Sequence, residues 1–347
     1  MKNLLYNLVK VYIKTGLHSY HKKIVVFGLE NVPLDKPVMF LPNHQSALMD
    51  VLLIAVDCNR KPYFLTRADV FGKPLLNKIF KFFQMIPVYR IRDGRSSLSK
   101  NDEVFDKCSQ ILGQGKALVM FPEANHNLKR RVRPLSKGFT RIVFRALQQH
   151  PEIDLQIVPV GLNYLDATGF PDSVAVYYGT SISARSLFEE ADIQRSEKRT
   201  KSAVSNALKK LTTHIASEED YDTILEYLAS KKISFLRPRK VNQEVSKFEL
   251  TVIPSGQTSI SKQRLNIFKV LIALINFPMW LLWKFIVKPK VWEAEFTGTL
   301  RYATAQVGFT VYFLVLFLVI SFLVNVKLGL LIVGGIFLLN RILVKFA

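Results

Sequence analysis

Cysteine is nearly absent, with Cys58 and Cys108 the only two in a chain of 347 residues. They form no Cys-x-x-Cys pair, which excludes a disulfide framework and a cysteine zinc site and fits a reducing compartment. Acidic residues are also scarce, at 27 Asp and Glu against 48 Lys and Arg, for a net charge of +21. Such a balance suits nucleic acid, anionic lipid or phosphorylated small molecules. No RNP-like, zinc-finger or basic-zipper pattern is present, so nucleic acid is not expected as a partner. Several catalytic signatures are missing too. Gly113-Gln114-Gly115-Lys116 lacks the spacing and the Ser/Thr of a phosphate loop. No Gly-x-Ser-x-Gly elbow occurs. Glu123 and His126 have the Glu-x-x-His spacing of a di-iron pair, but no second such pair accompanies them, so no metal is expected. Lys10 and Lys14 interrupt the apolar start, and no secretion signal is read there.

What is present is an alternation of two periodicities. Residues 1–22 carry Leu4, Leu5, Leu8, Val9, Tyr12 and Ile13 at helical spacing opposite Lys2, Lys10 and Lys14. This amphipathic helix suits a membrane surface as well as packing on its own domain. Strands are predicted at 24–27, 38–41, 63–65, 117–121, 155–160 and 174–178, and helices at 74–83 and 137–149. Strands alternating with helices predict an α/β domain with a mostly parallel sheet flanked by helices over residues 23–230. Its last part, 183–230, reads as helical and charged. Residues 231–264, marked by Arg237-Pro238-Arg239-Lys240 and Pro254-Ser255-Gly256, read as a basic linker.

The composition then changes. Ala303–Val324 is an uncharged, mostly apolar run long enough to span a bilayer, and Leu328–Asn340 is a shorter one. Lys327 between them predicts a helical hairpin over 303–344, within a membrane-associated region 265–347. Val270–Trp283 is apolar but short and contains Pro278, which suits a helix lying in the interface, anchored by Trp280 and Trp283.

The candidate chemistry begins at Asn43-His44-Gln45-Ser46-Ala47-Leu48-Met49-Asp50, between apolar flanks. Acyl transfer to an alcohol needs a base, a partner that orients it, and donors for the developing oxyanion. His44 and Asp50 supply the first two. Six residues along a continuous α-helix turn through about 240°. The pair therefore meets only if His44 lies in a loop and the helix begins near Ser46 or Ala47.

Three further blocks follow in order: Met85-Ile86-Pro87-Val88-Tyr89-Arg90, Phe121-Pro122-Glu123-Ala124 and Val158-Pro159-Val160-Gly161. With the first, they resemble the four blocks of the glycerophospholipid acyltransferase family, over roughly residues 23–215. The resemblance implies catalysis by His44 and Asp50. It implies an arginine, here Arg90 with Arg92 as second candidate, that holds the acceptor's phosphate. It also implies substrate binding by Asn43, Glu123, Lys137, Gly138 and Pro159, with Lys137-Gly138 opening a helix. Two departures stand out. Five residues separate His44 from Asp50 where most members have four, and the longer spacing is that of a branch acylating glycerol 3-phosphate or dihydroxyacetone phosphate. Ala124 replaces a glycine, which requires a negative φ there or some strain.

The function expected from these residues is an O-acyltransferase anchored in a membrane with its catalytic domain on the cytoplasmic face. It would need no cofactor beyond its co-substrate, an acyl thioester of coenzyme A or acyl carrier protein. The acceptor is 1-acyl-sn-glycerol 3-phosphate, with glycerol 3-phosphate as the alternative. A reading of another class is a non-catalytic scaffold that binds anionic lipid. Oligomeric state is not legible.

Overall fold

In the computed structural model, residues 2–72, 74–89, 100–250 and 266–347 are described. An eight-stranded mixed sheet forms among them. Its strands are β1 (Lys23–Phe27), β2 (Val38–Pro42), β3 (Tyr63–Arg67), β4 (Met85–Val88), β5 (Ala117–Val119), β6 (Gln156–Tyr164), β7 (Ser173–Tyr178) and β8 (Ile182–Ser183). The order is β1-β7-β6-β2-β5-β3-β4, with β8 on β6. Strands β6, β2, β5, β3 and β4 run parallel, and only the β6–β7 and β6–β8 pairings are antiparallel.

Both faces of the sheet are covered, as the unbroken burial of β2 and β6 requires. Alternation along β2 separates two cores. Met39 and Leu41 pack with Leu112, Phe139, Ile142 and Val143 on one face. Val38 and Phe40 pack with Leu53, Ile54, Val160, Leu162 and Tyr164 on the other. The second face is roofed by α1 (Lys2–Tyr20) and α2 (Ala47–Asp57). A helix α3 (Pro74–Phe82) precedes β4, and α4 (Lys100–Gly113) and α5 (Gly138–Gln149) cover the first face. The predicted strand at 155–160 continues to Tyr164, because past Val160 its partner changes from β2 to the antiparallel β7.

Beyond the sheet, α6 (Ile193–Leu211) adds Val204 and Leu208 to the first core, while α7 (Tyr221–Ser230) and α8 (Pro238–Leu250) bury Ile224, Leu228, Val241 and Val245 together. A helix thus lies inside the stretch read as linker. Its apolar positions are few but fall on one face, while Arg237, Arg239 and Lys240, of the run that suggested a connector, are exposed at its start. A bent pair follows, α9 (Ile267–Ile275) and a segment Phe277–Lys290, meeting at 100°. Next come α10 (Phe296–Leu323) and α11 (Val326–Phe346), both long and apolar enough to cross a membrane; the bent pair makes a third if counted as one span. The hairpin begins seven residues before its predicted start, so it includes Arg301. Asn325 turns it, accepting a hydrogen bond from Leu328 N (2.8 Å).

α1 belongs to both worlds. Leu17 and Tyr20 are buried in the second core, whereas Leu4, Leu5, Leu8 and Val11 are exposed. Tyr302 of α10 donates to Ile13 O (3.0 Å), Tyr12 donates to Gln306 O (2.9 Å), and Lys345 caps the end of α1 through Lys22 O (2.9 Å).

The loop between β6 and β7 buries Asp172, whose Oδ1 accepts from Asp166 N (2.9 Å). Burial pushes this carboxyl from 3.8 up to about 7. The folded protein therefore holds this proton more tightly than the unfolded chain. The group carries no penalty below the unfolded value, and destabilises increasingly as pH rises from there through about 7. Asp172→Asn should leave the melting temperature nearly unchanged at pH 4 and raise it at pH 8, by roughly 2–4 kcal/mol of stability. Thermal melts of both proteins across that range check this; an equal offset at both ends would contradict it.

Candidate active site

His44 leaves the C-terminal end of β2 in a short loop, and α2 begins at Ala47. This late start brings Asp50 back under the histidine. His44 Nδ1 and Asp50 Oδ2 lie 2.8 Å apart. The same oxygen accepts from the backbone N–H of Gln45 and of Ser46, each at 2.8 Å, and Oδ1 accepts from the Tyr164 hydroxyl. Asp50 is fully buried, yet four donors satisfy an acceptor-only carboxylate. With Asp50 accepting, His44 carries its proton on Nδ1 and offers the Nε2 lone pair. Among the described residues nothing bonds that nitrogen, and the side chain remains 15% exposed. Phe121 stacks on the ring at 4.0 Å and 24°, fixing its plane. Between His44 and Asp50 the chain turns at Ala47, whose φ is 41°.

Ser46 occupies the N-cap position of α2 but makes no side-chain cap. The cap comes from α10. Thr299 Oγ1 accepts from Met49 N (3.1 Å) and donates to Ser46 O (3.1 Å). A second contact from the same region reaches the histidine indirectly. His126 lies edge-on to His44 at 5.5 Å, and its Nε2 meets Glu293 Oε2 at 2.7 Å. Phe296 packs on the other side of His126 at 4.9 Å. His126, Glu293 and Glu295 bring one possible ligand atom each within 4.8 Å of one another. The bond between His126 and Glu293 joins two of the three.

Glu123 follows β5, buried, and pairs with Arg133: Nη2 to Oε2 at 2.7 Å and the Arg133 N–H to Oε1 at 3.1 Å. Arg133 also bonds the Asn125 side chain and carbonyl. The loop is drawn to the histidine by Asn127 N, which donates to His44 O (3.0 Å). Within the loop Ala124 has φ 66°, so the alternative realised where the family has glycine is strain.

The other residues singled out by sequence lie around this centre in different roles. Asn43 is buried and bonds the Leu162 backbone twice, giving to its carbonyl (3.1 Å) and accepting from its N–H (2.7 Å), so its amide ties β2 to β6. Pro159 is buried in β6, opposite Leu41. Gly138 opens α5 with Met120 Cε at 2.8 Å from where a Cβ would stand. Lys137 precedes it, exposed, with its amine 3.4 Å from Glu197. Arg90 and Arg92 lie outside the described residues. The basic run after Glu123 is largely structural. Arg130 donates to the Tyr164 and Leu165 carbonyls, and Arg131 to Ile215 O and Glu218.

A family model described as Acyltransferase matches residues 23–163. Over these residues the chain is similar to that family. A chloroplastic 1-acyl-sn-glycerol-3-phosphate acyltransferase of Arabidopsis thaliana is 26% identical over 132 residues, 38% of this chain and 35% of that protein. A probable enzyme of the same name from Mycoplasma pneumoniae is 29% identical over 155 residues, 43% of this chain and 55% of its own length. The matched part of this chain thus spans about a third of the plant relative and just over half of the bacterial one. A crystal structure of the 1-acyl-sn-glycerophosphate acyltransferase of Thermotoga maritima overlaps 59% of this chain and 80% of its own, with 18% identity and a TM-score of 0.42.

Sequence reasoning missed Tyr164, Arg133 and Thr299 around this site, and it noted His126 only for its spacing from Glu123. Tyr164 had a usable signal: it shares the face of β6 that carries Val158, Val160 and Leu162. Thr299 lies outside the matched residues and had none.

Two substitutions test these features. Ala124→Gly should relieve the left-handed strain and stabilise the fold by about 1 kcal/mol, read as a rise in melting temperature. Thr299→Val keeps the shape but removes the cap, and should cost about 1 kcal/mol. An unchanged melt for Thr299→Val would show that the cap is energetically idle.

Proposed function

We propose that this protein transfers a fatty acyl group from an acyl thioester to the free hydroxyl of a glycerol phosphate, with 1-acyl-sn-glycerol 3-phosphate as the acceptor. The observation that carries the reading is the His44–Asp50 pair at 2.8 Å, with Nε2 left open in a loop at the C-terminal end of a parallel strand. His44 Nε2 removes the acceptor's hydroxyl proton as that oxygen attacks the thioester carbonyl. The C–S bond then breaks, and the imidazolium returns its proton to the leaving thiolate, releasing a free thiol. Asp50 stabilises the imidazolium and holds the tautomer, in the logic of a catalytic triad without a serine. No covalent enzyme intermediate is needed. Arg90 would hold the phosphate by a guanidinium fork, and Glu123 acts through Arg133, with which it pairs.

Two features favour a lipid acceptor and an acyl donor. An apolar cavity of about 200 Å³ is lined by Leu48, Val51 and Leu52 on the helix that carries Asp50, wide enough to take part of an acyl chain. The relatives named above act, by their names, on an acceptor that already bears one chain. The carrier is coenzyme A or acyl carrier protein.

We further propose that α10 and α11 anchor the protein with the catalytic domain on the cytoplasmic side. Thr299 and Lys345 contact the catalytic domain, so the outer ends of both helices lie on its side. That side also carries Lys284, Lys288, Lys290, Arg301 and Arg341, against Lys327 at the far turn. An excess of lysine and arginine beside the spans marks the cytoplasmic face.

The test is thiol release from palmitoyl-CoA by purified protein, offered lysophosphatidate or glycerol 3-phosphate, then repeated with acyl carrier protein as donor. General-base catalysis contributes about 10²–10⁴-fold, so His44→Ala should lose at least that order while circular dichroism stays unchanged. Near-full turnover in a folded His44→Ala would remove the mechanism. Absence of thiol release with either donor, alongside intact lipid binding, would favour the scaffold reading.

A further inference from the structure

A second cavity, of about 600 Å³, lies away from His44, between α1, the bent pair 267–290 and the hairpin. Its walls are largely aromatic and aliphatic, with Trp280, Trp283, Phe309 and Phe313 prominent. Three cations interrupt them, Lys269 from α9 and two guanidinium groups, Arg301 from the second turn of α10 and Arg341 from the last turns of α11. Among the described residues no carboxylate pairs with either guanidinium. Arg301 donates to Thr168 O (3.1 Å) and rests on the Trp283 ring at 4.7 Å, and Arg341 lies 6.0 Å from the Phe337 ring.

Unpaired guanidinium groups beside apolar spans are costly, and a ring face offsets only part of that cost. Their depth is informative. From Arg301 to the hairpin turn at Asn325 the helix rises by roughly 36 Å, a little more than the ~30 Å hydrocarbon core. Arg301 therefore sits at headgroup level, and Arg341, roughly 24 Å from the turn, starts about 12 Å deeper on the same side, with a long side chain that reaches up towards that level. A phosphodiester satisfies both requirements at once. Its oxygens accept from guanidinium forks, and its acyl chains cover the aromatic walls below.

We infer that this cavity binds an anionic diacyl glycerophospholipid of the surrounding leaflet, with its phosphate between Arg301 and Arg341 and its chains along Trp283 and Phe313. The site is distinct from the thioester chemistry and does not rest on it. It is nevertheless wired to the same place, because Arg301 follows by two residues the Thr299 that caps α2. A seated lipid braces the helix that braces the histidine loop.

Tryptophan emission reads the site without turnover. Trp280 and Trp283 line the cavity, and Trp292→Phe removes the remaining one of the three tryptophans. The full-length protein is placed in phosphatidylcholine nanodiscs containing a small fraction of brominated phosphatidylglycerol or, separately, brominated phosphatidylcholine. Quenching by the brominated phosphatidylglycerol should exceed that by the zwitterionic lipid at least twofold. Arg301→Gln with Arg341→Gln should bring the two to the same level. Ala305→Phe, which fills the cavity while keeping both arginines, should do likewise and serves if the double variant fails to fold. Equal quenching by both lipids in the parent protein overturns the inference, as does a preference that survives both changes.

Discussion

The buried Asp50 carboxylate is the constraint around which the catalytic half is arranged. A charge with no exposure is tolerated only when every lone pair is answered. Here the answers come from His44, from two backbone N–H groups of the loop that carries it, and from Tyr164 on the far end of β6. Each donor has a structural consequence. The backbone pair forces the loop to curl over the start of α2, which holds Ala47 at positive φ. The tyrosine requires β6 to run on past its parallel partner into an antiparallel pairing. Asn43 then fastens the loop's other end to that same strand. The imidazole is thus held by a closed ring of bonds, and only its outward nitrogen is left free.

Glu123 illustrates the same economy on the next strand. The family resemblance implies that it helps bind the acceptor. Its pairing with Arg133 and the latter's bonds to Asn125 also anchor a loop that closes on the histidine carbonyl. A negative group that holds a positive one in place suits a site for an anionic substrate better than a bare carboxylate would. The strain at Ala124 belongs to this loop, as part of its tight turn away from β5.

Much of this was legible in the residues. Strands such as 38–42 and 156–160 are short apolar runs, and buried parallel strands look like that because both faces are covered. The hairpin was legible because soluble helices seldom run so far without a charge. Other elements were not. The helix 100–113 opens with Lys, Asn, Asp and Glu and buries only one face, so its charges mask its period. Helix 238–250 is introduced by a basic, proline-marked run that equally describes a connector. The site partners Arg133, His126 and Thr299 are ordinary residues made specific by tertiary contacts, and Thr299 meets its partners across some 250 positions of chain. Composition cannot express such a pairing. Motif spacing could place His44 with Asp50, but not what holds Asp50 still.

The Thr299 cap also bears on where this molecule divides. By sequence the chain falls into a catalytic part and an anchoring part, separated by a basic stretch. Its bonds do not respect that division, since the cap of α2, the partner of His126 and the Tyr302 bond to α1 all come from beyond it. Cutting the chain at the apparent boundary would therefore not release a smaller soluble enzyme. It would leave a catalytic helix with an uncapped first turn and an apolar seam along α1. Among the described residues the folding unit includes the apolar hairpin, which is one of its walls.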